Sequence, residues 1–189
     1  MGRIVISTNV SLDGVVQDPD GEEGSALGGW FGAAVGADQE AWAAMFFEEA
    51  LHTEALLLGR RTDAWFAERW LGRSGEWAER LNGLPKYVVS STIDAPRWTN
   101  ATIIGGDAVA GAARVKSRVD GDLVVYASYQ LARTLLENGL VDELRLVVIP
   151  VVVGGGDRLF GETSAMTSLR LLDSRTLGQG LAHLIYEVV

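Results

Sequence analysis

The sequence predicts an α/β domain, and three observations support that fold class. Strand and helix patterns alternate from the amino terminus to about residue 137, which is typical of parallel βαβ units. The remaining residues contain long strand patterns without a convincing helix between them, which predicts an antiparallel ending. The chain is 48% hydrophobic and has no cysteine, so its 189 residues can build a core without disulfides. We expect one compact domain over residues 1–189, or at most two small ones.

Each element is predicted from an apolar run and from the residues that interrupt it. The opening strand covers residues 3–10 and ends in a turn at residues 11–14. Residues 17–36 are rich in Gly, Asp and Glu and are too long for a simple connection, so we interpret them as a flexible functional loop. Asp38 is a candidate N-cap for the helix that follows. Later strands are predicted at residues 55–58, 86–89, 101–104, 123–126, 143–153, 168–174 and 181–189. Later helices are predicted around residues 65–70, at residues 76–81, from just after residue 107 to about residue 116, and at residues 128–137.

The charge balance excludes several functions. Sixteen Lys and Arg against 25 Asp and Glu give a net charge of -9, which disfavours nucleic acids and anionic membrane surfaces as partners. The longest apolar run is interrupted by Arg145 and Pro150 and is too short to span a bilayer. Two histidines and no cysteine are too few for a metal cluster, so we expect no metal. The composition and the lack of an export signal predict a cytoplasmic protein that acts on small molecules.

Three predicted strand ends carry residues suited to phosphate binding. Residues 59–62 read Gly-Arg-Arg-Thr, residues 90–92 read Ser-Ser-Thr, and residues 127–130 read Ala-Ser-Tyr-Gln. Ligands bind at the carboxyl ends of strands in an α/β sheet, where helix N-termini offer free N–H groups. In an acidic chain, paired arginines at a strand end supply the local positive charge that a polyanion needs. Each segment taken alone also suits an ordinary turn.

Other nucleotide and nucleophile signatures are missing from the sequence. It contains neither Gly-x-Gly-x-x-Gly nor a P-loop, which excludes the standard Rossmann fingerprint and P-loop nucleotidases. The triple glycine at 154–156 lies between predicted strands and suits a hairpin or bulge turn. A hydrolase using Ser128 with His52 or His183 is disfavoured, because no Gly-x-Ser-x-Gly surrounds the serine.

Taken in order, the landmarks of the chain resemble a known family. They are residues 11–14 (Ser-Leu-Asp-Gly), residues 57–62 (Leu-Leu-Gly-Arg-Arg-Thr), residues 86–92 (Lys-Tyr-Val-Val-Ser-Ser-Thr) and residues 139–146 (Gly-Leu-Val-Asp-Glu-Leu-Arg-Leu), followed by Pro150, the triple glycine and Leu159-Phe160. In this spacing the chain resembles the dihydrofolate-reductase-like superfamily. It is similar above all to the C-terminal reductase domain of the bifunctional riboflavin-biosynthesis deaminase-reductase and to its stand-alone bacterial relatives.

The resemblance implies a three-layer αβα fold with a mostly parallel central sheet and an antiparallel C-terminal edge. It implies NADPH as the cofactor and hydride transfer to a small pterin- or pyrimidine-like heterocycle. Similar proteins are often homodimers, and the long apolar C-terminal strands suit either packing across a two-fold axis or the core of a monomer. The cofactor-binding residues that it implies are Gly14, Gly59, Arg60, Arg61, Thr62, Ser90, Ser91, Thr92, Ala127, Ser128, Tyr129, Gln130 and Leu131. Arg60 or Arg61 is expected near the 2'-phosphate. Asp13 and Trp30 are the implied substrate-binding residues.

Two positions depart from the family pattern. The pyrophosphate turn usually begins with Gly where this chain has Ala127, and Asp63 stands where the family often has Tyr. Asp13 is our candidate for binding or protonating the substrate, and an ordinary Asp-Gly turn is the alternative. The alternative to a reductase is a non-catalytic nucleotide- or ligand-binding homodimer on the same fold.

Overall fold

The strands and helices alternate as the sequence predicts. The computed structural model describes residues 1–162 and 166–189. Its strands are β1 (Arg3–Ser11), β2 (Thr53–Gly59), β3 (Lys86–Val89), β4 (Ala101–Ile104), β5 (Asp122–Tyr126), β6 (Glu143–Ile149), β7 (Leu169–Leu177) and β8 (Leu181–Val188). Its α-helices are α1 (Trp30–Val35), α2 (Gln39–His52), α3 (Arg60–Trp70), α4 (Glu76–Gly83), α5 (Ala108–Lys116) and α6 (Tyr129–Glu137), with a 3₁₀ turn at Gly36–Asp38.

The strands form a mixed eight-stranded sheet in the order β4-β3-β2-β5-β1-β6-β8-β7. Strand β2 pairs in parallel with both β3 and β5, and β3 pairs in parallel with β4. Strand β8 pairs in antiparallel fashion with β6 and β7. The predicted fold class, with a mostly parallel sheet and an antiparallel C-terminal edge, is confirmed.

The chain forms two compact units, and each has its own apolar interior. Unit 1 contains residues 1–6 and 46–141, and unit 2 contains residues 7–45 and 142–189. In unit 1 the apolar runs of β2 and β5 are fully buried, as expected for parallel strands whose two faces are both covered. In unit 2 buried side chains come from β6, from the start of β8 and from the connecting loops. The prediction of one domain over residues 1–189 stays a prediction.

The segment at residues 17–36 differs from the expected long flexible loop. It ends in helix α1, and its first part is organised by the buried carboxylate of Asp18. Asp18 Oδ1 accepts a hydrogen bond from Glu23 N at 2.9 Å, and Oδ2 accepts one from Ser25 N at 2.8 Å. A carboxylate that binds two backbone N–H groups fixes the loop around it, which composition alone did not reveal.

Two further expectations are wrong in detail. Asp38 does not cap α2 with its side chain, because its carboxylate accepts hydrogen bonds from Gln179 N at 2.7 Å and Gly180 N at 2.9 Å. The strand predicted over residues 143–153 ends at Ile149, since Pro150 has no N–H to continue a ladder.

No helix in the described ranges has the length and apolar character needed to cross a membrane. The same residues contain no group of three or more His, Cys, Asp or Glu side chains that could hold a metal ion.

Candidate cofactor site

The candidate site lies in unit 1, at the carboxyl ends of parallel strands. The register places Gly59 of β2 opposite Val89 of β3, and Val89 opposite Ile104 of β4. The residues that follow these strand ends therefore leave the sheet at the same edge. Two of the predicted segments, residues 59–62 and 90–92, start there, and hydrogen bonds bring the third segment to them.

Ser128 joins the segment after β5 to the segment after β2. Its Oγ accepts a hydrogen bond from Gly59 N at 3.0 Å and donates one to Thr62 Oγ1 at 2.8 Å. These bonds account for the hydroxyl of Ser128, and neither partner is a histidine. The structure therefore gives no support to the disfavoured hydrolase reading of Ser128. Its role here is to hold the two strand ends together.

The N-termini of α3 and α6 open at this edge without side-chain caps. Gly59 precedes α3 and Ser128 precedes α6, and neither side chain caps its helix in the structure. Uncapped first turns leave backbone N–H groups and the positive end of the helix dipole for an anion.

Residues 127 and 128 both adopt the left-handed backbone conformation. The φ angles are +48° at Ala127 and +46° at Ser128. Glycine adopts this region without strain, whereas an L-residue loses about 1 kcal/mol or more there. The Ala127 side chain is exposed, so its methyl group does not disturb the core. The turn therefore keeps a glycine-like geometry although the residue is alanine.

Arg60 is held by the hydroxyl-rich segment after β3. Its Nη1 donates to Thr92 Oγ1 at 3.1 Å, and Thr92 N donates to Ser90 Oγ at 3.2 Å. Arg61 is exposed, and its side chain has no hydrogen bond or ion pair to any other residue that the structure describes. The edge thus carries one arginine positioned by a neighbour and a second whose guanidinium remains available.

Asp63 does not place its charge at this edge. Its side chain is 1% exposed, and its carboxylate accepts hydrogen bonds from Arg97 N at 2.7 Å and Trp98 N at 3.1 Å. Burial lowers the pKa of the Lys86 ammonium to about 8, and the nearby Asp63 carboxylate opposes this shift. Asp63 therefore belongs to the interior of unit 1, and its charge is compensated there.

Asp13 and Gly14 lie in unit 2, in the turn after β1. Asp13 Oδ1 accepts hydrogen bonds from Ser11 Oγ at 2.7 Å and Val153 N at 3.0 Å, and Oδ2 accepts one from Gly154 N at 2.9 Å. These bonds, with Ser11 contributing most, lower the pKa of Asp13 to about 2. Such a carboxylate stays ionised at neutral pH, so the geometry disfavours the proton-donor role and matches the turn alternative. Substrate binding by Asp13 stays a prediction.

Trp30 begins α1 and is buried in unit 2, where its Nε1 donates to Gln17 O at 2.9 Å. This hydrogen bond connects the start of α1 to residue 17, the first residue of the 17–36 segment. A direct role for Trp30 in substrate binding also stays a prediction.

The sequence profile of the RibD C-terminal domain matches residues 3–183. The chain belongs to the RibD C-terminal domain family. Membership of this family supports an oxidoreductase of the reductase type. The RibD-type residues predicted for the cofactor are the ones that the parallel sheet brings together in unit 1, except for Gly14, which lies in unit 2.

Similar proteins and solved structures agree with the family. Bacillus subtilis YyaP, an uncharacterized protein, is 26% identical over 194 residues that cover 98% of this chain and 94% of YyaP. A Shewanella structure described as a riboflavin biosynthesis protein has a TM-score of 0.74 at 18% identity and 99% coverage of both chains. The bifunctional deaminase/reductase from Thermotoga maritima has a TM-score of 0.67 at 12% identity, and the match covers 100% of this chain and 57% of that one.

The fold is shared with dihydrofolate reductase. The enzyme from Enterococcus faecalis, solved in complex with NADP(H) and RAB-propyl, has a TM-score of 0.58 at 16% identity, with 98% of this chain and 96% of that chain covered. At these identities the likeness establishes the dihydrofolate-reductase-like fold alone.

One segment at the carboxyl ends of the parallel strands was not predicted as part of the candidate site of this RibD-type domain. Residues 105–107 follow β4, Gly106 has a φ of +81°, and Asp107 Oδ1 caps α5 by accepting a hydrogen bond from Ala110 N at 2.7 Å. A strand followed by Gly-Gly-Asp and a helix was visible in the sequence. It carries no hydroxyl cluster or cation, so it was interpreted only as a strand end.

Proposed function

We propose that this protein is an NADPH-dependent reductase that transfers a hydride to a small pterin- or pyrimidine-like heterocycle. The observation that carries the proposal is the assembly of three polar segments at one edge of the parallel sheet in unit 1. Two uncapped helix N-termini and two exposed arginines lie at that edge. This donor set suits a dinucleotide with a 2'-phosphate, because it combines backbone N–H groups for a pyrophosphate with guanidinium groups for a third phosphate.

The residues present fit the proposed cofactor. Hydrogen bonds connect Gly59, Thr62 and Ser128 at this edge of the sheet. The first turns of α3 and α6 supply backbone N–H donors beside them. Ser90, Ser91 and Thr92 supply hydroxyl groups beside Arg60. When bound, NADPH supplies the hydride. The chain's own part in this unit is to bind the phosphates and so to hold the cofactor in one orientation, which is a contribution that a protein makes to cofactor chemistry.

The arginines should decide between NADPH and NADH. We expect NADPH to bind with micromolar affinity, and we expect Arg61→Ala to weaken its binding by about tenfold or more, as for loss of a charge-assisted hydrogen bond. Arg60→Ala should weaken it as well, with a smaller effect because Thr92 already uses part of that guanidinium. NADH affinity should change little in either variant. Isothermal titration calorimetry and quenching of tryptophan fluorescence measure these affinities.

Arg118→Ala is the matched control, since Arg118 is an exposed arginine of the same unit just after the C-terminal end of α5. Equal losses in the control and in Arg61→Ala would assign the effect to net charge rather than to a site. Absence of NADPH binding at millimolar concentration would refute the proposal.

A non-catalytic ligand-binding protein is the second candidate, and the state of Asp13 favours it. Its ionised carboxylate, bound to the backbone of residues 153–154, is a poor proton donor. If NADPH binds, consumption of NADPH with dihydrofolate, an aminouracil or simple enones distinguishes the two candidates. Binding without turnover on any of these acceptors favours the second.

A further inference from the structure

The connection between β3 and β4 in unit 1 is a long segment that joins two parallel strands. Residues 90–100 lie within the described range 1–162 and contain no helix or strand. Parallel neighbours are normally joined by a helical crossover, and long connections without regular structure are commonly functional. This β3–β4 loop begins with residues 90–92 of the candidate cofactor site, so whatever fixes the course of the loop also fixes that part of the site.

Side chains in the first turn of α3 hold the β3–β4 loop at two points. Near the start of the loop, Arg60 Nη1 donates to Thr92 Oγ1 at 3.1 Å. Near its end, the carboxylate of Asp63 accepts from Arg97 N at 2.7 Å and from Trp98 N at 3.1 Å. Residues three apart lie on the same face of a helix, so one face of α3 fastens both parts of the loop.

The attachment at Asp63 is buried, whereas the attachment at Arg60 is exposed. Trp98 is 2% exposed, and its ring stacks on Phe66 of α3 with 5.1 Å between the ring centroids. Arg60 and Thr92 are both exposed, and a hydrogen bond between exposed groups competes with water and stabilises little by itself. The Arg60–Thr92 bond therefore depends on a loop whose course is already fixed at its buried end.

We propose that Asp63 is a positioning residue of the candidate cofactor site, although its carboxylate is buried beneath that site. By binding Arg97 N and Trp98 N, it holds the β3–β4 loop in the conformation in which Thr92 orients the Arg60 guanidinium. This inference rests on the proposed function, in which Arg60 binds the 2'-phosphate of NADPH. Ordering the loop in advance reduces the entropy that is lost when the ligand binds.

This role gives a physical meaning to one departure from the family pattern. Asp63 stands where the family often has Tyr. An ionised carboxylate offers two acceptor oxygens, and here each accepts one backbone N–H, whereas a phenol has a single oxygen at the end of a longer side chain. The Asp63 carboxylate thus supports the site from the interior of unit 1 and does not oppose an anion at its surface.

Hydrogen–deuterium exchange of the unliganded chain tests the attachment of the loop. In Asp63→Asn the side chain keeps its shape but has one acceptor oxygen, so one of the two backbone N–H groups loses its partner. We expect residues 92–98 to exchange about tenfold faster, with little change in β2 and β5. Val119→Ala is the control, because Val119 is a buried side chain of the same unit that lies just before the amino end of β5. Equal loop exchange in the natural chain and in Asp63→Asn overturns the proposal.

A double-mutant cycle on NADPH affinity tests whether Asp63 acts through Arg60. We expect Asp63→Asn to raise the dissociation constant of NADPH about threefold or more in the natural chain. In the Arg60→Ala background the same change should raise it by less than about twofold, because the loop then has no guanidinium to orient. Thr92→Val changes only the exposed end of the loop, and it should reproduce the loss of affinity even if Asp63→Asn folds poorly. Val119→Ala should leave the affinity unchanged, and circular dichroism confirms that each variant folds.

The outcomes separate this inference from the proposed function. Additive effects of Asp63→Asn and Arg60→Ala overturn the positioning role while NADPH binding to the natural chain stands, and so does an affinity that neither Asp63→Asn nor Thr92→Val changes. Absence of NADPH binding to the natural chain at millimolar concentration refutes the proposed function, and the positioning role with it, whatever the exchange rates of the loop are.

Discussion

The two units use their polar side chains differently. At the strand ends of unit 1, the first turns of α3 and α6 are uncapped, and Arg61 is exposed without a partner among the described residues. In unit 2, three aspartates each bind a pair of backbone N–H groups. They are Asp13 with residues 153 and 154, Asp18 with residues 23 and 25, and Asp38 with residues 179 and 180.

This difference separates polar groups that have no internal partner from polar groups that hold the fold together. Carboxylates that bind backbone N–H groups hold loops in place, and they also carry part of the negative charge of the chain. Groups that remain without an internal partner at a strand end are available for a ligand. An acidic residue in a turn is thus a weaker indication of catalysis than an uncapped helix start beside an arginine.

The largest effect is expected from Asp63, the buried carboxylate of unit 1. Asp63→Ala leaves the N–H groups of Arg97 and Trp98 without their acceptor and removes the carboxylate near Lys86, which should lower the free energy of unfolding by about 3 kcal/mol. Urea denaturation followed by circular dichroism measures it. The control is Asp94→Ala, at an exposed position of the β3–β4 loop that also contains Arg97 and Trp98, and it should change the stability by about 0.5 kcal/mol or less. Similar losses of stability in both variants would show that the Asp63 carboxylate does not stabilise unit 1.

A smaller effect is expected from Gly178 in the β7–β8 turn of unit 2. Its φ is +60°, and a Cβ there would collide with Asp38 Oδ1, so Gly178→Ala should displace the carboxylate and lower the free energy of unfolding by about 2 kcal/mol. Gly139→Ala separates strain from collision, because Gly139 has a φ of +65° and nothing within 4 Å of its Cβ position. That control should cost about 1 kcal/mol. Equal losses would show that the Asp38 contact does not stabilise unit 2.

Ala127→Gly should raise the stability of unit 1 by up to about 1 kcal/mol, because glycine adopts a φ of +48° without strain. NADPH affinity should be retained or improved, since the turn geometry is already that of a glycine. Thermal unfolding and the NADPH titration measure the two effects. Ala127→Val, with a β-branched side chain at the same φ, should be less stable than the natural chain. A destabilised glycine variant would show that the turn owes its shape to the alanine methyl group.

The smallest effect is expected from Asp13, whose carboxylate is close to solvent. Its pKa of about 2 in the folded chain lies below the ordinary value of 3.8, so the ionised carboxylate stabilises the folded state above about pH 4. This contribution is lost as the pH falls from about 4 to about 2. In Asp13→Asn the free energy of unfolding should therefore depend less steeply on pH in this window. If the free energy of unfolding has the same pH dependence in both proteins, the hydrogen bonds to the Asp13 carboxylate do not stabilise the folded state.

Much of the fold could be predicted from local patterns. The strands at Lys86–Val89 and Ala101–Ile104 lie where predicted, because each is a short apolar run bounded by a turn residue. Helix α1 was missed, since its six residues begin after a run of glycines and carry no capping side chain. The three candidate segments could also be located from the sequence, because each places hydroxyl or arginine residues directly after a predicted strand. Their role in cofactor binding stays a prediction.

The sequence by itself determined the α/β class, the strand order along the chain, the three strand-end segments and the absence of cysteine chemistry, because these depend on residue type and short-range spacing. Only the tertiary structure decided which polar groups have internal partners. Asp63 and Asp13 look alike as single letters near a predicted site, yet both are bound to backbone far along the chain, and Arg61 is not. Hydrogen-bond satisfaction depends on contacts between distant residues, and no local pattern encodes them.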